Sequence, residues 1–197
     1  MVVTIIRVNP ESVQAYGSDA EVKFEEVRSD LEMLVADVVE VRYFGPNAGT
    51  FKTQAGELAQ EYSQALLADL GAISESVSQA TSAIADSLGG APIRIAVNGS
   101  AVTAPAVDAG DGSVDVDTSA LEALKPVVQQ RFQSVSEKLD AHLTRLEGTD
   151  WEGNAKERAV SEVTGFTSSG KERSEEAQQS LTQFIESQIM SVTAADK

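Results

Sequence analysis

Residues 148–160 read GTDWEGNAKERAV and hold the only tryptophan of the chain, Trp151, with Gly153 two positions later. This polar stretch separates two long patterns of apolar residues at helical spacing. A large aromatic side chain just before a tight turn can fold back over the open end of two antiparallel helices. Glycine after it permits a positive φ or a close passage of the chain. The stretch therefore predicts a helical hairpin closed by Trp151, with Asp150 or Asn154 as the cap of the next helix.

A similar break occurs in the first half of the chain. Residues 43–48 read YFGPNA, so that Tyr43, Gly45 and Asn47 stand where the second break has an aromatic residue, a glycine and a polar residue. Long apolar patterns flank this break as well. Recurrence at an offset of about a hundred residues predicts that the chain contains a duplicated hairpin.

Apolar residues in steps of three and four predict four helices. Their expected ranges are 10–42, 47–88, 119 to the break at 148, and 153–192. Asn9 is the expected cap of the first helix, and Ser119 with Glu122 is the expected capping box of the third. Pro126 predicts a late start or a kink in that helix. The fold class is predicted to be all-α, an elongated antiparallel four-helix bundle made of two helical hairpins.

Residues 91–118 differ from the rest of the chain. Two β-prone runs flank Asn98-Gly99, a strong signal for a tight hairpin turn, and an acidic stretch follows them. The expected organisation is a first helical hairpin over residues 1–90, a β-hairpin and acidic linker over 91–118, and a second helical hairpin over 119–197.

The composition restricts the classes of partner. The 197 residues carry a formal net charge of −16 and contain no cysteine. Binding to nucleic acid or to anionic lipid is disfavoured because both need Lys and Arg side chains. No apolar run approaches the roughly 18 residues of a membrane span, and the N-terminal residues lack the features of a general signal peptide. We expect no nucleic acid, no membrane span and no disulfide.

No residue pattern predicts enzyme chemistry. The single histidine, His142, lacks a nucleophile or an orienting acid in a known motif, and it is predicted to be a polar residue on a helix flank. Five acidic residues have roughly the spacing of a calcium loop: Asp108, Asp111, Asp115, Asp117 and Glu122. Val116 stands where such a loop requires glycine, which favours a solvated linker. We expect no catalytic residue, no metal and no cofactor.

A helix, a Trp-x-Gly turn and a second helix within about a hundred residues resemble the WXG superfamily of small proteins exported by type VII secretion. The resemblance is carried by Trp151–Ala155 and more loosely by Tyr43–Ala48, where tyrosine replaces tryptophan. The stretch IRVNPESV at residues 6–13 is similar to the usual opening of these proteins. The resemblance covers both halves but not residues 91–118.

This resemblance implies a function. Family members typically pair as dimers of hairpins, so a tandem chain would be a fused pseudo-dimer whose linker raises the effective concentration of its halves. A non-enzymatic interaction protein is implied, a monomer or weak dimer whose partner is the secretion machinery or a paralogous WXG protein. It would be secreted by a route independent of a signal peptide, and would otherwise be cytoplasmic. Trp151 would either close the hairpin only or also serve a secretion partner as a docking residue.

One feature of the family is missing. Its export signal is a tyrosine, three residues and then Asp or Glu, near the end of a hairpin. The tyrosines here, and one phenylalanine, lead to other residues four positions later: Tyr16 to Ala20, Tyr43 to Asn47, Tyr62 to Leu66 and Phe184 to Gln188. Export would therefore need a partner that carries the signal. Long helices rich in Ala and Ser are equally typical of a cytoplasmic structural protein that assembles into a shell, a filament or a phage-like particle.

Overall fold

The computed structural model describes residues 5–107 and 113–195. The helices are α1 (Pro10–Glu40), α2 (Pro46–Ser87), α3 (Thr118–Glu147) and α4 (Asn154–Ala195). The strands are β1 (Arg7–Val8), β2 (Tyr43–Phe44), β3 (Asp115–Val116) and β4 (Trp151–Glu152). The predicted all-α class with four helices is confirmed, and each helix lies within a few residues of its predicted range. Among the described residues, no helix has an apolar stretch long enough to cross a bilayer.

The helix starts are partly as predicted. Asn9 caps α1, since its Oδ1 accepts hydrogen bonds from the backbone N–H groups two and three positions later. The capping box of Ser119 and Glu122 is wrong, because Asp117 caps α3 with the same geometry, at 2.9 and 3.1 Å. A carboxylate is both an acceptor and a favourable charge at a helix N-terminus. α3 then runs through Pro126 without a break.

The β structure lies at other places than predicted. β1 pairs antiparallel with β4, and β2 pairs antiparallel with β3. Residues 91–107 contain no strand, so the β-hairpin predicted at Asn98-Gly99 is wrong. Of the predicted linker, residues 108–112, which include Asp108 and Asp111, lie outside the described residues.

The chain forms two compact units. Unit 1 comprises Met1–Glu26, Ala65–Ser100 and Ser136–Lys171. It contains the start of α1, the end of α2, the end of α3 and the start of α4. The two helices of each hairpin therefore run in opposite directions within it, whereas α2 and α3 run in the same direction. Its core is built mainly from buried apolar side chains, among them Val13, Tyr16, Phe24, Leu70, Leu139, Leu146, Trp151 and Val163.

Unit 2 comprises Val27–Gln64, Ala101–Val135 and Glu172–Lys197. It contains the remaining parts of the same four helices, together with β2 and β3. Its buried apolar side chains include Leu31, Leu34, Val38, Phe51, Leu121, Val128, Phe132, Leu181 and Ile185. Each unit therefore combines parts of both predicted hairpins.

A segment that we call the strap, residues 92–96, packs on α2 in unit 1. Ile93 and Ile95 are buried and the residues between and beside them are exposed, which is the alternation of an extended chain. Ser82 Oγ accepts from the Ile93 N–H at 2.9 Å and donates to its carbonyl at 2.8 Å. Ser78 makes the same two bonds with Ile95. Four helical residues and two extended residues both span roughly 6 Å, so the two registers match.

Candidate functional sites at the two aromatic turns

The two predicted turns have the same local geometry. Trp151 and Tyr43 are buried, with 0% and 4% of their surfaces exposed. Gly153 and Gly45, two residues after them, have φ angles of 119° and 120°. An L side chain rarely adopts such a φ, whereas glycine does so at no steric cost. The glycines therefore let the chain reverse immediately after each buried aromatic residue.

Each turn pairs with the residues that lead into the first helix of the other hairpin. Val8, just before α1, pairs with Trp151, and Val116, just before α3, pairs with Tyr43. Val8 and Val116 lie 108 positions apart, as do Tyr43 and Trp151. The structure thus repeats not only the hairpins but also the way in which each turn is held.

Two hydrogen bonds of the Asp150 backbone connect the Trp151 turn to the start of α1. The Asn9 N–H donates to the Asp150 carbonyl at 2.9 Å, and the Asp150 N–H donates to Ser12 Oγ at 2.9 Å. The indole Nε1 of Trp151 has no hydrogen-bond partner among the described residues. The ring therefore contributes to this turn through packing.

Tyr43 is held through its ring and its hydroxyl. The hydroxyl donates to Oε1 of Gln188 on α4, and the ring packs against Phe51 with 6.5 Å between centroids. Phe51 in turn stacks on Phe184 at 5.0 Å. Burial raises the pKa of Tyr43 above its usual range. Tyrosine thus serves the first turn with a polar contact that the tryptophan of the second turn lacks.

An ion pair lies beside each strand pair. The turn supplies the acidic residue at the Trp151 turn and the basic residue at the Tyr43 turn. Arg7, on the strand before α1, contacts Asp150 of the second turn. Asp115, on the strand before α3, accepts two bonds from the Arg42 guanidinium of the first turn, at 3.0 and 2.9 Å. Arg7 and Asp115 are 108 positions apart, and so are Arg42 and Asp150. The same contact is therefore made twice with opposite polarity.

A lysine on the following helix closes each turn. Lys52 Nζ donates to the Val41 carbonyl at 3.1 Å, and Lys156 Nζ donates to the Thr149 carbonyl at 2.9 Å. Val41 and Thr149 are again 108 positions apart. Lys52 also lies over the Phe44 ring, 5.1 Å from its centroid, and burial lowers its pKa. Each of these carbonyls also accepts the backbone N–H of the buried aromatic residue two positions later, at 2.7 Å for Tyr43 and 2.9 Å for Trp151, so the lysine is its second donor.

The two polar residues of the predicted motif take no part in these contacts. Asn47 and Asn154 lie in the first turns of α2 and α4 and are exposed. The predicted cap of α4 does not form either. The Asp150 carboxylate instead contacts Arg7 and the Asn9 amide, because it faces β1.

Replacing Gly153 with alanine should lower the free energy of unfolding by about 1–3 kcal/mol, the usual cost of a non-glycine residue at such a φ. The atoms nearest to an added Cβ are at 3.7 Å or beyond, so the cost would be conformational rather than steric. Gly71→Ala in α2 is the matched control. Nothing lies within 4 Å of its added Cβ, and helix propensity predicts a gain of about 0.5–1 kcal/mol. Urea unfolding of both variants tests the sign, and equal effects would contradict the strained turn.

An open groove lies beside each turn. The Trp-turn groove has a volume of about 360 Å³ and the Tyr-turn groove about 330 Å³. The first is lined by Ile6, Ala80, Ala83, Ile84, Leu88 and Arg158 among others. The second is lined by Phe44, Asn47, Val114, Gln188, Ser191 and Val192 among others. Five lining positions of the two grooves are equivalent at the offset of 108. Those of the first groove are 6, 80, 83, 84 and 155, and they correspond in order to 114, 188, 191, 192 and 47 of the second.

His142 is not the flank residue that was predicted. Its side chain is buried, with 3% exposed, and Nε2 lies 3.2 Å from the Tyr16 hydroxyl. The ring also packs edge-on against Phe166 at 5.9 Å. Burial lowers the pKa of His142 to about 4 and raises that of Tyr16. The pair is therefore a neutral contact within the core of unit 1.

The acidic residues of the predicted linker, where described, have other partners. Asp115 binds Arg42 and Asp117 caps α3. Glu122 contacts Lys125, one turn further along α3. These three carboxylates thus stabilise the start of α3 and the first turn.

The aromatic residues and glycines of the turns could be recognised in the sequence, whereas the charged residues around them were not predicted. A direct alignment of the two halves at an offset of 108 would have placed Arg7 against Asp115 and Arg42 against Asp150.

Comparison of the chain with models of protein families, with curated proteins and with solved structures finds no match.

Proposed function

We propose that the chain is a non-enzymatic interaction protein similar to WXG-type substrates of type VII secretion, with two unlike hairpins carried as one molecule. The exchanged ion pairs carry this proposal. If a hairpin paired with its own copy, Arg7 would face Arg42, or Asp115 would face Asp150. Pairing of the first hairpin with the second brings opposite charges together at both turns.

The energy of these contacts indicates what they do. An exposed ion pair contributes about 0.2–1 kcal/mol, and the side chains of Arg7 and Asp150 are 58% and 38% exposed. Two such contacts cannot hold a bundle together. Like charges in their place would disfavour the wrong pairing, and two unlike partners are commonly selected in this way. The exchange is therefore the pattern expected of two different hairpins fused in tandem.

The positions of the tyrosines support the proposal that a partner protein supplies the export signal. Tyr16, Tyr43 and Tyr62 are 1%, 4% and 5% exposed. Each is engaged in the core, and none precedes an acidic residue by four positions. A tyrosine signal for export would therefore come from a second protein, which would dock on the surface of this one.

Export is tested in cells of the source organism. The extracellular amount of the chain is compared between the parent strain and a strain that lacks the type VII secretion ATPase, with a protein carrying a general signal peptide as the control. We expect the chain to be absent from the culture medium of the mutant strain. The control protein should be present in the medium of both strains. An unchanged extracellular amount would refute the secretion function and leave an interaction protein without it.

A second candidate is a cytoplasmic structural protein that assembles into a larger particle. The equivalent grooves favour it, because exposed apolar side chains stand at both: Ile6 and Leu88 at one, Phe44 and Val114 at the other. Two contact sites on one chain are the minimum for a continuing assembly. Light scattering at micromolar concentration would show a large discrete oligomer for this candidate and a monomer or weak dimer for the first.

A further inference from the structure

We propose that the Trp-turn groove binds a helix of a partner protein that carries an acidic residue beside its apolar face, and that Arg158 selects this partner. The inference rests on the proposed function as an interaction protein and names the chemistry of one partner segment. It goes beyond that function because the two grooves, although equivalent in position, would bind differently.

Arg158 is unusual among the basic residues of this chain. Its side chain is exposed at the edge of the groove. The described basic residues otherwise contact a carboxylate, a carbonyl or another group of the chain, with the single exception of Arg94 on the strap. In a chain with a net charge of −16, an arginine with no partner among the described residues is a free site for an incoming carboxylate.

The shape of the groove fits a helix. One wall is the end of α2, which contributes positions 80, 83, 84 and 87, with Leu88 just beyond it. The other wall is the start of α4, which contributes positions 155 and 158. These are the three- and four-residue steps of single helix faces. Ala80, Ala83 and Ala155 are small enough for a third helix to approach closely. Ile6 and Leu88 are 59% and 72% exposed, and they would pack against the apolar side chains of the partner helix.

Other occupants fit less well. Pockets for small ligands enclose most of the ligand surface, whereas this groove is open to solvent. An anionic bilayer would be repelled by the charge of the chain. A helix with two or three apolar anchors and one carboxylate matches both the open apolar trough and the single arginine.

The Tyr-turn groove lacks the charge. The position equivalent to Arg158 is Thr50, whose hydroxyl donates to the Pro46 carbonyl at 3.2 Å. An acidic residue on a helix seated there would find no cation at the matching place. The preference for an acidic partner should therefore belong to one groove only.

The test uses three synthetic helical peptides that share leucines at positions i, i+4 and i+7 and differ in one flanking residue, which is Glu, Gln or Lys. Each is titrated into the full-length protein labelled with ¹⁵N. We expect the Glu peptide to shift the amide signals of residues 80–88 and 155–158, and to bind about 2- to 5-fold more tightly than the Gln peptide, the range for one exposed ion pair. The Lys peptide should bind most weakly.

Three variants make the assignment specific. Arg158→Gln should abolish the preference for the Glu peptide over the Gln peptide. Arg94→Gln removes the same charge from the strap and should leave this preference unchanged. Thr50→Arg should create the same preference in the Tyr-turn groove, seen at residues 188–192. The inference is overturned if no peptide binds at residues 80–88, or if Arg158→Gln leaves the preference intact. Neither result depends on export, so the secretion proposal succeeds or fails by its own experiment.

Discussion

Trp151→Ala is expected to lower the free energy of unfolding by about 3–5 kcal/mol, the range for truncating a buried aromatic side chain. Trp151 is 0% exposed and is the largest of the fully buried side chains in the described residues. Its removal would leave a cavity in the core of unit 1. Because the variant has no tryptophan, urea unfolding should be followed by circular dichroism.

Phe44→Ala provides the comparison. Phe44 is also an aromatic residue of a turn strand, but half of its surface is exposed, 50%. Because folding removes less apolar area of this side chain from water, we expect Phe44→Ala to lower the free energy of unfolding by less than about 1 kcal/mol. Equal melting temperatures of the Trp151→Ala variant and the parent would show that the ring does not support the turn. A docking role for the tryptophan would then be the better hypothesis.

The stability should fall as the pH is lowered from 7 to 5, through the buried His142. The pKa of His142 is about 4 in the folded chain, against an ordinary value of 6.5. Below pH 6.5 the unfolded chain takes up a proton that the folded chain does not, so acid favours unfolding. The stabilising contribution is complete above pH 6.5 and is lost progressively down to pH 4. Between pH 7 and 5 the expected loss is about 2 kcal/mol.

His142→Gln isolates this contribution. Its amide can keep a hydrogen bond to the Tyr16 hydroxyl but does not titrate. The many carboxylates of the chain affect both proteins alike, so the difference between the two pH profiles reports His142. Measurements at pH 5 and above stay clear of the pI near 4.3. Parallel profiles would show that His142 is solvated and titrates normally.

The helices could be predicted because their core positions repeat locally. The third helix shows both the strength and the limit of this pattern. His142 was predicted to lie on the flank of this helix, whereas the structure buries it between Leu139 and Leu146, with steps of three and four. A polar residue at a core position has no signal in an apolar pattern. Its burial follows from Tyr16, which lies 126 positions away in the chain.

The β structure could not be predicted, for a related reason. Strands of two residues have too little pattern to be recognised, and each exists because a distant strand supplies its partner. The strong turn signal at Asn98-Gly99 was misleading because the first of its two β-prone runs had another partner. Ser78 and Ser82 bind the backbone of Ile95 and Ile93, so helix side chains take the place of a second strand.

Each turn is held, within one chain, by the strand that leads into the first helix of the other hairpin. Because the chain has no cysteine, two double variants test this directly: Arg7→Cys with Glu152→Cys, and Phe44→Cys with Asp115→Cys. These residues are opposite each other in the two strand pairs, where Cα atoms about 4.5–5.5 Å apart permit a disulfide. Mild oxidation should close both bridges within single chains and give monomers of 20.8 kDa on non-reducing gels. Disulfide-linked dimers, or no bridge in either variant, would contradict the account.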